Sequence, residues 1–205
     1  MDAVIFKEQN KKNKTLNTDD NTKFIELLSM LSKNGINKVY VDFKVNKMNQ
    51  TQNNKLEIVP IKFDGSIKDL SVLSKMNYLV NEEKIKNDLI IIVGNAELNS
   101  DFSNMLDYFE ATKKPIILLK TAYKNIISKN NEVILDKNGI VKTIVEHPIN
   151  PKSKLTSAGV YFMPKDALFW IKKIANTGAN KTSFDFFIKR LSQKRKVRGI
   201  INKQN

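Results

Sequence analysis

The run Leu89-Ile90-Ile91-Ile92-Val93 constrains this chain more than any other stretch. It has no polar residue and no alternation, so a strand built from it must be covered on both faces. That places it at the centre of a mostly parallel sheet with helices on either side. It is far shorter than the roughly 20 apolar residues that span a bilayer. The opening Met1-Asp2-Ala3 carries an acid where a secretory signal would be basic. The expectation is a cytoplasmic protein with no membrane contact.

The rest of the pattern arranges itself around that strand. Ala3-Val4-Ile5-Phe6 is a short buried strand, and the polar stretch 7–21 after it is a loop. Phe24, Ile25, Leu27, Leu28 and Leu31 share a helical face that should stop at Asn34-Gly35, where glycine suits the left-handed position after a helix. Val39 to Phe43 and Leu56 to Ile61 are further strands, separated by an Asn-rich loop. Ser66 is the expected cap of a helix carrying Ile67, Leu70, Leu73 and Met76, which leads to Asp88 and the central strand. Ser103 to Thr112 is a helix and Pro115 to Leu119 a strand. Asp136-Lys137-Asn138-Gly139 turns a hairpin between Val133–Leu135 and Ile140–Val145. A strand at Val160–Phe162, helices at Ala167–Ala175 and Phe184–Leu191, and a last strand at Val197–Ile201 complete an α/β pattern without repeats. At 205 residues this is the size of one domain, 1–205, rather than two.

Composition removes whole classes of chemistry. With no cysteine there is no disulfide, thiolate metal site or thiol nucleophile, and His147 alone cannot make a multi-histidine zinc site. The net charge of +14 invites a nucleic-acid reading, yet only 3 of the 35 basic residues are Arg, the residue best suited to forked phosphate recognition. The charge is also local: the basic C-terminal segment 172–205 holds ten cations against one acid, Asp185. It includes Arg190, Lys194, Arg195, Lys196 and Arg198, which are either a solvated face or contacts for a polyanion or an acidic protein.

Taken in order, several stretches resemble the sugar-phosphate nucleotidyltransferases, which join a sugar 1-phosphate to a nucleoside triphosphate. Met1 to Ile5 resembles that family's first strand, and Phe24 to Glu26 with Gly35 to Val41 its first helix and second strand. Asp64-Gly65-Ser66 is similar to its base-proximal glycine segment. Asp88 to Leu98, containing Gly94-Asn95, is similar to its strand ending in Gly-Asp, and Glu146-His147-Pro148 and Ser157 to Tyr161 resemble its Glu-Lys-Pro and Gly-Val-Tyr blocks. The resemblance implies a Rossmann-like, GT-A-like fold with a nucleotide or sugar-phosphate ligand near Gly65, Asn95, Glu146 and Gly159. Gly159 either leaves room for a sugar or relieves crowding in a strand.

The departures from the family bear on chemistry. Where it has a glycine-rich phosphate loop, this chain has Lys7-Glu8-Gln9-Asn10-Lys11-Lys12-Asn13-Lys14, without a glycine. Lys11, Lys12 and Lys14 either grip phosphate in its place or are simply solvated. The family's metal-binding Asp falls on Asn95, a neutral amide that a hard divalent ion disfavours. The second metal Asp is expected after the segment resembling Lys196-Val197-Arg198-Gly199, and the sequence runs only to Asn205. Glu97 and Asp101 either supply a displaced metal ligand or are ordinary solvated acids.

Three functions are therefore carried forward. The first is a non-catalytic relative serving as a binding or assembly module for a protein partner or a second copy of itself, with no cofactor. The second is an active transferase with rearranged ligands, needing Mg2+. The third is a basic module that docks on nucleic acid or an acidic protein.

Overall fold

A computed structural model describes residues 1–6, 18–43, 56–63, 71–82, 85–94, 96, 102–175 and 183–202, with the side chains of 18–21 excepted. Strand β1 (Asp2–Phe6) is followed by α1 (Thr18–Lys33), β2 (Lys38–Val41), β3 (Glu57–Pro60), α2 (Val72–Glu82), β4 (Leu89–Val93) and α3 (Phe102–Thr112). Then come β5 (Ile116–Thr121), the one-turn α4 (Lys124–Ile127), β6 (Asn131–Leu135), β7 (Val141–Glu146) and β8 (Leu155–Met163). A 3-10 turn at Lys165–Ala167 leads into α5 (Leu168–Ala175), α6 (Phe184–Ser192) and β9 (Arg198–Ile201).

Seven strands form one sheet in the order β3-β2-β1-β4-β8-β5-β9, and β6 and β7 pair separately as an antiparallel hairpin. Strand β4 is the fourth of the seven, the position its unbroken apolar run requires. Its side chains alternate between two cores. Leu89 and Ile91 pack with α2, α5, α6 and the hairpin, while Ile90 and Ile92 pack with α1 and α3. Strand β8 alone runs against the others, inserted between β4 and β5 and antiparallel to both. The sheet is thus mixed but mostly parallel, as the sequence predicts.

Local chemistry explains where the elements stop. After α1, Gly35 takes a φ of +78° while its N–H bonds to the Ser32 carbonyl and that of Ile36 to Leu31, a double closure of the helix end. Pro60 is tolerated because β3 is an edge strand. Ser66, the expected cap, lies outside the described residues. The described helix α2 starts later, with Ser71 before it accepting the Ser74 N–H at 3.3 Å. The short α4 has no counterpart in the periodicity, since one helical turn is too brief to show any.

A buried ion pair also ties this framework together. Lys75 on α2 reaches Asp42, just past β2, at 3.0 Å, with both side chains almost wholly covered. The Lys75 ammonium also lies 5.4 Å from the centre of the Phe63 ring.

Candidate functional site

Ligands of open α/β sheets bind beyond the carboxyl ends of the parallel strands. Here that edge is marked by the end of β4, where Gly94 donates its N–H to the Phe6 carbonyl at 2.8 Å. Of the expected ligand residues, Gly65 and Asn95 lie outside the described residues, as do Glu97, Asp101, Lys11, Lys12 and Lys14. Gly159 and Glu146 are described.

Gly159 sits on β8 beside the last residue of β4. Its φ is +77°, and a Cβ at this position would fall 2.5 Å from the Val93 carbonyl oxygen. Any side chain would meet both backbone strain and a backbone clash, so glycine is demanded by the corner itself. Its N–H donates to Ser157 Oγ at 3.1 Å. Ser157 Oγ lies 2.9 Å from the Tyr161 hydroxyl, which donates to Asp185 Oδ1 at 2.7 Å. Asn131 Nδ2 donates to Asp185 Oδ2 at 2.6 Å. Residues of β6, β8 and α6 thus converge on one buried carboxylate.

Burial dominates the titration of this cluster. It pushes the Asp185 carboxyl above its usual range despite opposing hydrogen bonds from Asn131 and Tyr161, and the Glu146 charge adds to the rise. Burial, then the Asp185 charge, hold the Tyr161 phenol well above its usual value. Glu146 is exposed at the end of β7 and accepts a hydrogen bond from Ser183 Oγ at 2.8 Å. Ser183 is also the N-cap of α6, accepting the Phe186 N–H. After Glu146, His147 takes a φ of +46° and its N–H bonds to the Asn130 carbonyl at 2.9 Å.

The sequence marked Ser157 to Tyr161 as a block and Asp185 as a lone acid, but not their connection. The available signal was the placement of Asp185 among Phe184, Phe187, Ile188 and Leu191, the buried residues of α6. An acid beside such a face demands donors.

The basic residues are more engaged than their clustering suggests. Arg195 pairs with Asp166 at 2.8 Å, Arg190 lies over the Phe186 ring, and Arg198 donates to the Asn138 carbonyl and lies over Tyr108. Trp170 packs partly buried against the core with Lys173 over its ring, whereas its neighbour Phe169 is exposed.

The sequence pattern of the nucleotidyl transferase family matches residues 22–205. This chain belongs to that family. Among solved structures, a UDP-glucose pyrophosphorylase complexed with UDP-glucose is similar with a TM-score of 0.75 at 10% identity, over 100% of this chain and 91% of that one. A candidate glucose-1-phosphate thymidylyltransferase from Bacillus anthracis, complexed with sucrose, gives 0.75 at 13% identity over 98% and 86%. At such identities these likenesses concern the fold. No curated protein matches the sequence.

A nucleotidyl transferase that uses a divalent ion needs hard oxygen donors at the strand end. The sequence there offers the neutral amide of Asn95, and among the described residues no three Asp, Glu, His or Cys side chains converge as a metal site. Asn95 and the neighbouring acids Glu97 and Asp101 lie outside the described residues. Among the described residues no helix is long and apolar enough to cross a membrane.

Proposed function

We propose that this member of the nucleotidyl transferase family keeps the scaffold as a binding or assembly module and has lost the transfer reaction. The observation that carries the reading is Gly94-Asn95 at the end of the central strand, where the family resemblance calls for a metal-binding Asp. Without a carboxylate there, an ion that would neutralise charge on a reacting phosphate loses its main anchor. The glycine-free stretch 7–14 removes the phosphate cradle as well. Each loss removes several kcal/mol of transition-state stabilisation, at about 1.4 kcal/mol per tenfold in rate. No cofactor is then required.

The retained corner at Gly159 and the exposed Glu146 support a small polar ligand of the nucleotide or sugar-phosphate class. The setting is one domain spanning 1–205, in the cytoplasm, with a protein partner or a second copy of the chain. The test supplies magnesium, each nucleoside triphosphate and glucose 1-phosphate, and measures pyrophosphate release beside calorimetric binding of UDP-glucose. The reading expects binding without turnover. Magnesium-dependent turnover that disappears in Glu97→Ala or Asp101→Ala would establish the rearranged transferase instead.

A second reading, contact with a polyanion or an acidic protein, is favoured by one observation. Between residues 165 and 202 the only acids are Asp166, paired with Arg195, and the buried Asp185. Exposed Lys165, Lys173, Arg190, Lys194 and Lys196 share this segment with exposed Phe169. With Arg195 and Arg198 tied internally, lysines dominate the exposed charge, giving affinity without sequence choice. Reversing Lys194 and Lys196 to Glu should flatten the salt dependence of binding to generic RNA. An unchanged slope rejects the contact.

A further inference from the structure

Two of the candidate ligand residues, Glu146 and Gly159, sit on different strands yet are tied to the same helical turn. Ser183 holds Glu146 at 2.8 Å, and Asp185, two residues on, holds the chain that ends at Gly159. The direction of that chain is fixed from both ends. A carboxylate can only accept, so the Tyr161 proton points to Asp185. Having given its one proton away, Tyr161 must accept from Ser157 across their 2.9 Å contact. Ser157 Oγ in turn accepts from the Gly159 N–H, which can only donate. Every hydroxyl in the chain therefore has one orientation, and the chain ends at the residue that abuts the Val93 carbonyl.

We propose that the first turn of α6 is the positioning element of the ligand crevice, with Asp185 setting the Gly159 corner through Tyr161 and Ser157 and Ser183 setting Glu146. This rests on the reading of that edge as a ligand site. Asp185 touches no ligand in this role and acts through the residues that do. Its first carboxylate oxygen orients the hydroxyls, and its second, bonded to Asn131, ties the hairpin to the same point. A ligand would then meet a corner and a carboxylate whose placement is fixed before it arrives, which lowers the ordering cost of binding.

The test uses the full chain and two readouts, the Gly159 amide resonance and the affinity for UDP-glucose. Tyr161→Phe deletes the middle hydroxyl and Ser157→Ala the last link, each with little change in volume. Both should shift the Gly159 amide proton upfield and weaken UDP-glucose binding roughly five- to tenfold, the effect of one lost hydrogen bond. Asp185→Asn still offers an oxygen to Tyr161 and, with the Asn131 amide turned, a donor to its carbonyl oxygen. It should keep both readouts near wild type. Ile188→Val trims packing on the same helix without touching the chain, and should lower stability while leaving affinity intact.

Unchanged Gly159 amides in both deletion variants would overturn the proposal, as would an equal loss of affinity in Ile188→Val. If the wild type fails to bind UDP-glucose, the ligand reading falls. The Gly159 amide then decides by itself whether Asp185 sets the corner.

Discussion

Asp42 and Asp185 are both buried carboxylates at contacts between the sheet side and the helices, but they are stabilised differently. Asp42 meets the Lys75 ammonium of α2 at 3.0 Å, whereas Asp185, on α6, is met by the neutral donors Tyr161 and Asn131. An ammonium offsets charge strongly but constrains direction little. Hydroxyl and amide donors leave more of the desolvation penalty standing, which is why the Asp185 carboxyl titrates above its usual range. In return they fix orientation, since each has a limited set of directions in which to give or take a proton. The first arrangement ties a helix to a strand end. The second aligns three elements beside the Gly159 corner.

Removing one partner of the ion pair should produce the largest effect. Lys75→Met takes the Lys75 ammonium from the buried Asp42 carboxylate and should cost about 3–5 kcal/mol in urea unfolding, while adding Asp42→Leu should recover most of the loss. Failure of the double variant to recover would mean that Asp42 does more than balance Lys75. Asn131→Ala takes one donor from Asp185 and should cost about 1–3 kcal/mol, less than the ion-pair variant because a dipole is lost rather than a charge.

The third prediction concerns pH. The folded Asp185 carboxyl holds its proton more tightly than the unfolded one, so its contribution is full below the unfolded value of about 3.9. It is lost as pH rises through the raised folded value. The stability difference between wild type and Asp185→Asn should therefore fall across that window and level off above it. A difference flat in pH would show that the neutral donors compensate the charge as fully as a cation does.

The smallest effect belongs to the exposed pair. Arg195 holds the Asp166 carboxyl below its usual range, but Asp166 is largely exposed. Arg195→Gln should cost less than about 1 kcal/mol, and less still at high salt. A larger, salt-insensitive loss would place this contact with the buried ones.

The features legible in the sequence were those written into neighbouring residues. The unbroken run of β4 gave its central place, Asn34-Gly35 the end of α1, and the Asp136 to Gly139 turn the hairpin, where Asp136 Oδ1 accepts the N–H groups of Asn138 and Ile140 at 2.8 Å. The family order of blocks located Glu146 and Gly159 on the strands but not what holds them. Asp185, Tyr161 and Asn131 are far apart in sequence and meet only because β6, β8 and α6 pack together. The same is true of Lys75, whose burial contradicts its residue type until Asp42 is seen beside it. The arginines looked like free cations because their partners, an aspartate, a carbonyl and two rings, come from other elements or from a turn of the same helix.

The late insertion of β8 has a consequence for assembly order. Strands β4 and β5 follow one another along the chain but do not pair, because β8 lies between them and contributes Met163 opposite Leu89. Until that distant segment arrives, two apolar strands present open edges to each other and to neighbouring molecules. The middle of the sheet is joined only through contacts of long sequence separation, so β4 and β5 are synthesised well before the strand that bridges them.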